Sequence, residues 1–196
     1  MDEEHPLLPR SPYAATKAGA DRLAYSYYVT YDLPIVIARP FNNFGPRQHP
    51  EKVIPRFIVQ ALCDEPLTIH GDGEASRDWL YVDDDAEAIE ALIEAELDTV
   101  AGEVINVATG IDVSIEEIAD RVLEVLGRPA ELKQRVPDRP GQVQRHVGST
   151  DKAQRLLGWR ARTSFDEGLE RTVAWYSENE SWWRPIRAME VGVFSS

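Results

Sequence analysis

Short runs of β-branched apolar residues alternate along the chain with longer capped or amphipathic stretches, the pattern of a mixed α/β protein rather than of a bundle or sandwich. Ser11 is a good N-cap, Pro12 suits the first helical position, and the next proline is Pro34, so roughly five turns of helix fit over Tyr13 to Tyr31. The run from Pro34 to Arg39 is short, β-branched and apolar on both faces, as in a buried parallel strand. Asn42 to Pro50, rich in Asn, Gly and Pro, reads as a loop. An amphipathic helix follows from about Val53 to Leu62, then a strand over Leu67 to His70 closed by Gly71-Asp72-Gly73, and an extended piece over Trp79 to Val82. Asp83 can cap a helix running to about Leu97, Val104 to Val107 reads as a strand, and Ser114 with Glu117 forms a capping box for a helix to Leu126. Past the Pro/Gly-rich stretch Pro137 to Gly141, a short helix over Lys152 to Leu157 precedes one capped by Ser164 with Glu167 and ending near Asn179. Trp182, Trp183 and the last dozen residues read as a tail.

A parallel strand such as Ile35 to Ala38 needs neighbours on both sides, yet the first ten residues are polar or bounded by proline and offer no strand. The expectation is a sheet that lacks its beginning.

The 196 residues, 43% of them hydrophobic, suffice for one domain or a domain with a small annex, without disulfides or metal. The 34 acidic residues outnumber 21 basic ones, and the net charge of -13 would repel both a nucleic-acid backbone and an anionic membrane surface. No apolar run reaches the ~18 residues of a membrane span, and Met1-Asp2-Glu3-Glu4 lacks the parts of a secretion signal, so a cytoplasmic location is expected. Cys63 is the only cysteine, which leaves no internal disulfide and no CxxC site, and it is expected to pack as a small apolar residue.

Tyr13 and Lys17 stand at i and i+4, on one face of the first helix. The ammonium of Lys17 would favour the phenolate of Tyr13 and make it a usable general base near neutrality. On spacing alone, a solvated lysine beside a half-buried tyrosine is the favoured explanation of the pair. Asp83-Asp84-Asp85 suggests a metal cluster at first sight, but acidic residues in the first turn of a helix account for it, and His5, His49, His70 and His146 show no ligand spacing, so no metal is expected.

The surroundings of that pair change its meaning. Ser11-Pro12-Tyr13-Ala14-Ala15-Thr16-Lys17, then Ala38 to Gln48 (Ala-Arg-Pro-Phe-Asn-Asn-Phe-Gly-Pro-Arg-Gln), then Ser76 to Asp84 (Ser-Arg-Asp-Trp-Leu-Tyr-Val-Asp-Asp) resemble successive motifs of the extended short-chain dehydrogenase/reductase family. Ile105 to Gly110, Asp138-Arg139-Pro140-Gly141 and Leu156-Leu157-Gly158-Trp159 continue the resemblance in order, to about Tyr176. Within the family the motifs look most like the NAD-dependent nucleotide-sugar 4,6-dehydratases and 4-epimerases.

The resemblance implies an α/β fold with a partial Rossmann-type parallel sheet and a smaller α/β substrate-binding subdomain. Residues 1–41 would be the remnant of the dinucleotide-binding domain with the Tyr-x-x-x-Lys helix. Residues 42–180 would be mainly the nucleotide-sugar-binding subdomain with returning Rossmann elements, and 181–196 the tail. It further implies Tyr13 as the base toward the sugar C4 hydroxyl, Lys17 on the nicotinamide ribose, and a nucleoside-diphosphate sugar held by Arg77 and Arg139 with Asn42 and Asn106 beside them. Guanidinium forks suit phosphate oxygens. Surface ion pairs for the arginines and turns for the asparagines are the plainer alternatives. Glu51-Lys52 resembles the dehydratase side of the family, where Lys52 could add charge at the diphosphate. Gln142, where many dehydratases carry histidine, departs from it. The family's Gly-rich strand-turn-helix for the NAD pyrophosphate is nowhere in the sequence. The chain is therefore expected to be the C-terminal half of such an enzyme, inactive and unable to bind NAD tightly alone, and to associate as a homodimer or with a complementing N-terminal chain. The competing reading is a non-catalytic nucleotide-sugar-binding or assembly module.

Overall fold

The computed structural model describes residues 1–138 and 143–193. In chain order its elements begin with α1 (Pro12–Tyr31), β1 (Ile37–Pro40), β2 (Asn42–Phe44), α2 (Val53–Leu62), β3 (Leu67–His70) and β4 (Ser76–Tyr81). Next come α3 (Val82–Glu94), α4 (Leu97–Val100), β5 (Val104–Val107), β6 (Asp112–Ser114) and α5 (Ile115–Val125). The last are β7 (Lys133–Val136), β8 (Arg145–His146), α6 (Asp151–Leu157), α7 (Phe165–Glu178) and α8 (Glu180–Val193). No helix among the described residues is long and apolar enough to cross a membrane.

Two compact units interleave along the sequence. One comprises Met1–Asn43, Arg77–Asp112 and Pro140–Arg162, the other Phe44–Ser76, Val113–Arg139 and Thr163–Ser196. Each unit closes its core with elements drawn from distant parts of the chain.

In the first unit β1 and β5 pair in parallel, from Ile37 opposite Val104 to Pro40 opposite Val107. Leu80, Ala88, Leu92, Val100, Ile105, Val107, Ala153 and Trp159 form the core, and Val36 and Ala38 pack against it. The strand anticipated over Pro34 to Arg39 is thus shorter, shifted toward Pro40 and only half-buried. Its Arg39 is ion-paired with Asp21 rather than packed in a core, and among the described residues the strand pairs only with β5. Helix α1 packs against β1, yet none of its residues is buried.

The second unit pairs β3 with β7 in parallel, Leu67 opposite Lys133 through His70 opposite Val136. Helices α2, α5 and α7 pack on one another and close over Ile54, Phe57, Ile58, Leu67, Ile69, Ile118, Val122, Leu169 and Val173. The expected tail belongs to this core: Trp183 on α8 is 1% exposed and its indole N–H donates to the Tyr176 carbonyl at 2.8 Å. An indole that large, with its one polar group satisfied, anchors the helix.

Two further readings need correcting. The Asn42 to Pro50 segment is not all loop, since β2 opens it, paired with β4 in a sheet of order β2-β4-β6 with β8 on β4. Asp83 is not the cap of α3, whose N-cap is Tyr81; Asp83, Asp84 and Asp85 all lie in its first turn, where carboxylates meet the positive end of the helix dipole.

Candidate active site

Helix α1 is set by its start. The Ser11 hydroxyl accepts from the Ala14 amide at 3.1 Å and Pro12 opens the first turn, which puts Tyr13 near the N-terminus and Lys17 one turn on, along the same face. Tyr13 is 71% exposed and Lys17 is exposed, and neither side chain makes a hydrogen bond or ion pair among the described residues. A phenol and an ammonium so placed can act together on a small hydroxylated ligand.

A second set of polar residues gathers around β4, where Arg77 and Asp78 are consecutive and so point to opposite faces of the strand. Arg77 is half-buried, and burial lowers its pKa from the usual guanidinium value. Asp78 is fully buried. Its Oδ1 accepts the Thr109 amide at 2.9 Å and the Thr109 hydroxyl at 2.7 Å; its Oδ2 accepts the Gly110 amide at 2.9 Å and the Gly148 amide at 3.2 Å. His146, on the strand beside β4, stacks on Phe41 with ring centroids 4.6 Å apart and planes at 24°. Burial lowers the His146 pKa, the charge of Arg77 lowers it further, and the Asp78 carboxylate pulls the other way.

The other residues singled out from the sequence are less concentrated. Asn106 on β5 is buried, its amide N–H donating to Glu3 Oε1 at 2.9 Å and its Nδ2 to the Met1 carbonyl at 3.2 Å. Asn42 is half-buried at the start of β2. Lys52 belongs to the other unit, where it precedes α2 and pairs with Glu51 at 3.0 Å, both side chains more than half exposed. The hydrogen bond from Lys52 holds the Glu51 carboxyl below the usual range. Arg139 and Gln142 lie outside the described residues.

The structure therefore sets Tyr13 and Lys17 one turn apart on α1 and gathers Arg77, His146 and Phe41 around β4, with Asp78 fastening the strand. Sequence reasoning missed Asp78 and His146. A carboxylate one step before the apolar run Trp79 to Val82 was a signal that something must donate to it, whereas nothing local marks His146.

Asp84 accepts the Arg162 amide at 3.3 Å and Asp85 accepts Asn43 Nδ2 at 2.6 Å, so both carboxylates have internal duties. A cavity of about 490 Å³ in the first unit is lined by Glu3, His5, Arg22, Arg39, Glu103 and Lys152 among others, and by none of the candidate residues. Its cations are already matched, Arg39 with Asp21 at 2.7 Å and Lys152 with Glu103 at 2.5 Å.

Parallel strand pairs in a mixed α/β chain of two interleaved units give a Rossmann-like fold that matches solved dehydratases and epimerases. The chain belongs to the GDP-mannose 4,6 dehydratase family, whose model matches residues 1–172, and the resemblance read from the motifs is borne out. It is 45% identical over 175 residues to the low-salt glycan biosynthesis protein Agl12 of Haloferax volcanii, covering 89% of this chain and 55% of that protein. Among solved structures it resembles the dTDP-glucose 4,6-dehydratase DesIV of Streptomyces venezuelae with NAD and TDP bound, at 40% identity and a TM-score of 0.90, covering 95% of this chain and 57% of that one. It also resembles a UDP-glucuronic acid 4-epimerase of Bacillus cereus in complex with UDP-glucuronic acid and NAD, at 34% identity and a TM-score of 0.86, covering 91% and 56%. The chain spans about half the length of the relatives it matches.

Proposed function

We propose that this chain carries the sugar-facing base and the diphosphate-binding residues of an NAD-dependent nucleotide-sugar 4,6-dehydratase. The observation that carries the reading is the open Tyr13 and Lys17 pair on a capped helix. Relatives that bear the name dTDP-glucose 4,6-dehydratase, at 38% and 41% identity, favour dehydration over epimerisation.

Tyr13 accepts the proton of the sugar C4 hydroxyl as the C4 hydrogen leaves with its electron pair. NAD, when bound, supplies the acceptor for that hydride and later its return to C6, so the cofactor ends as it began. Between those two events the 4-keto sugar loses the C5 proton and the C6 hydroxyl as water, and a proton is restored to C5 as the hydride reaches C6, which leaves a 4-keto-6-deoxy sugar. Three ammonium protons on Lys17, with no partner among the described residues, suffice for the adjacent hydroxyls of a ribose with one to spare. Arg77, a half-buried guanidinium, is the diphosphate ligand, with Asn42 and Asn106 of the same unit as its further contacts. The exposed apolar stripe of α1, Leu23, Tyr27 and Tyr31 at successive turns, is the face a second copy of the chain covers.

The test supplies the chain with the N-terminal part of the Streptomyces venezuelae relative, NAD and dTDP-glucose, and follows the alkaline absorbance of a 4-keto sugar. Product is expected with the natural chain and at least ~100-fold less with Tyr13→Phe, the scale of a lost general base. Turnover unchanged in Tyr13→Phe, or tight nucleotide-sugar binding with no product, would refute the reading.

A further inference from the structure

We infer that Asp78 is the positioning residue of the diphosphate-binding face. An ionised carboxylate offers about four acceptor positions, and all four at Asp78 are filled by donors from two separate segments: Thr109 and Gly110 in the turn after β5, and Gly148 in the segment after β8. Charge-assisted bonds of this kind are shorter and stronger than neutral ones. Three of the four donors are backbone amides, so the carboxylate fixes the course of the main chain rather than the pose of one side chain.

The fastened segments are those that flank the candidate ligands. Arg77 is the residue before Asp78 on the same strand and shows the opposite face. Asn106 lies on β5, ahead of the held turn, whose Gly110 has φ +80°. Gly148 is drawn so close that a Cβ there would stand 2.5 Å from Ala108 Cβ and 2.7 Å from the Phe41 ring, the ring on which His146 stacks. One buried anion thus sets where Arg77, Asn106 and the Phe41 and His146 pair stand relative to one another.

This role rests on the reading of Arg77 as a diphosphate ligand, so the experiment separates the two. The 196-residue chain and its Arg77→Ala, Asp78→Asn, Thr109→Val and Thr109→Ser variants are titrated calorimetrically with UDP and with dTDP, well below their unfolding temperatures. Asp78→Asn puts an N–H₂ group where two donors now converge, yet leaves Arg77 and the net shape in place, so an affinity loss of about tenfold or more is expected, comparable with Arg77→Ala. A purely structural fastener would lower the unfolding temperature and leave the dissociation constant of the folded fraction unchanged. That result, with Arg77→Ala impaired, overturns the positioning role and spares the diphosphate reading. If neither nucleotide binds the natural chain, or Arg77→Ala binds as well as it does, the reading fails and the positioning role falls with it. Should Asp78→Asn not fold, Thr109→Val carries the test: it removes one donor and keeps the carboxylate, and a loss of about threefold that Thr109→Ser restores supports the role, while natural affinity in folded Thr109→Val overturns it.

Discussion

Adding a single methyl group at Gly148 tests the packing that Asp78 enforces. Gly148 is buried, and its backbone is not in the left-handed region, so alanine meets no conformational penalty there; the cost is purely steric. The new Cβ would sit 2.5 Å from Ala108 Cβ and 2.7 and 2.8 Å from two atoms of the Phe41 ring, against an ordinary van der Waals separation of roughly 3.5–4.0 Å. Neither neighbour is the far end of a flexible chain: one is itself a Cβ, the other a ring stacked on His146. Overpacking of this kind costs about 1–3 kcal/mol, and any relief that moves Gly148 away also stretches its 3.2 Å bond to Asp78. For a chain of this size each kcal/mol shifts the midpoint by about 2–4 °C, so Gly148→Ala should lower it by roughly 2–12 °C in a calorimetric scan. Gly19 is the control. It lies within α1 with nothing within 4 Å of its hypothetical Cβ, and Gly19→Ala should raise stability by about 0.5–1 kcal/mol through helix propensity alone. A Gly148→Ala protein as stable as the natural one would refute the argument that this slot is closed.

Two carboxylates should respond to pH in opposite directions. Asp85 has its pKa raised by burial, only partly offset by the Asn43 hydrogen bond, so the folded state holds its proton more tightly than the unfolded one and stability falls as pH rises through that range. Asp85→Asn should therefore raise the unfolding temperature at neutral pH and lose its advantage in acid; a stabilisation that persists unchanged in acid would refute this. At Asp21 burial pushes the pKa up, but the hydrogen bonds from Arg39 and Arg22 outweigh it and the net shift is downward, so its contribution is present at neutral pH and lost as pH falls. Asp21→Asn should cost about 1–3 kcal/mol at neutral pH and little in acid, read from denaturant curves at both. Leu23, 60% exposed on α1, should tolerate Leu23→Glu within about 0.5 kcal/mol while light scattering shows less self-association; an unchanged mass distribution would count against α1 as the associating face.

What could be read in advance followed local chemistry. The capping box of Ser114 and Glu117, the Ser164 cap of α7 and the Ser11-Pro12 start of α1 are written into neighbouring residues, and all three helices begin there. What could not be read depended on partners far along the chain. The β2 strand hides in a run rich in Asn and Gly because its pairing with β4, some thirty positions later, is what makes it a strand. Helix α8 hides because Pro185 inside it argues against a helix on propensity alone, while the contact that anchors it, Trp183 against Tyr176, reaches back to α7. The shorter β1 has the same origin: β-branched composition states what a strand would like to bury, while the number of neighbours decides what it does bury.

The candidate site divides along the same line. Tyr13 and Lys17 were legible because a helix puts positions i and i+4 on one face whatever surrounds it. The face built around β4 was legible only as a set of separate motifs, since no local rule says that Asp78 reaches a turn some thirty residues later and a glycine seventy residues later. Yet the sequence holds an indirect trace of that convergence. An acidic side chain next to an apolar strand must be solvated or satisfied, and Trp79, Leu80 and Tyr81, all buried, leave no water at hand to solvate it. Satisfaction needs several backbone donors at once, which only chain turns with unpaired amides can supply. Thr109-Gly110 and Gly148 are such places, and each carries the glycine that lets the main chain approach closely. A buried carboxylate and distant glycines are therefore two halves of one signal, and reading them together points to the turns that a strand must hold before its neighbouring arginine can hold anything else.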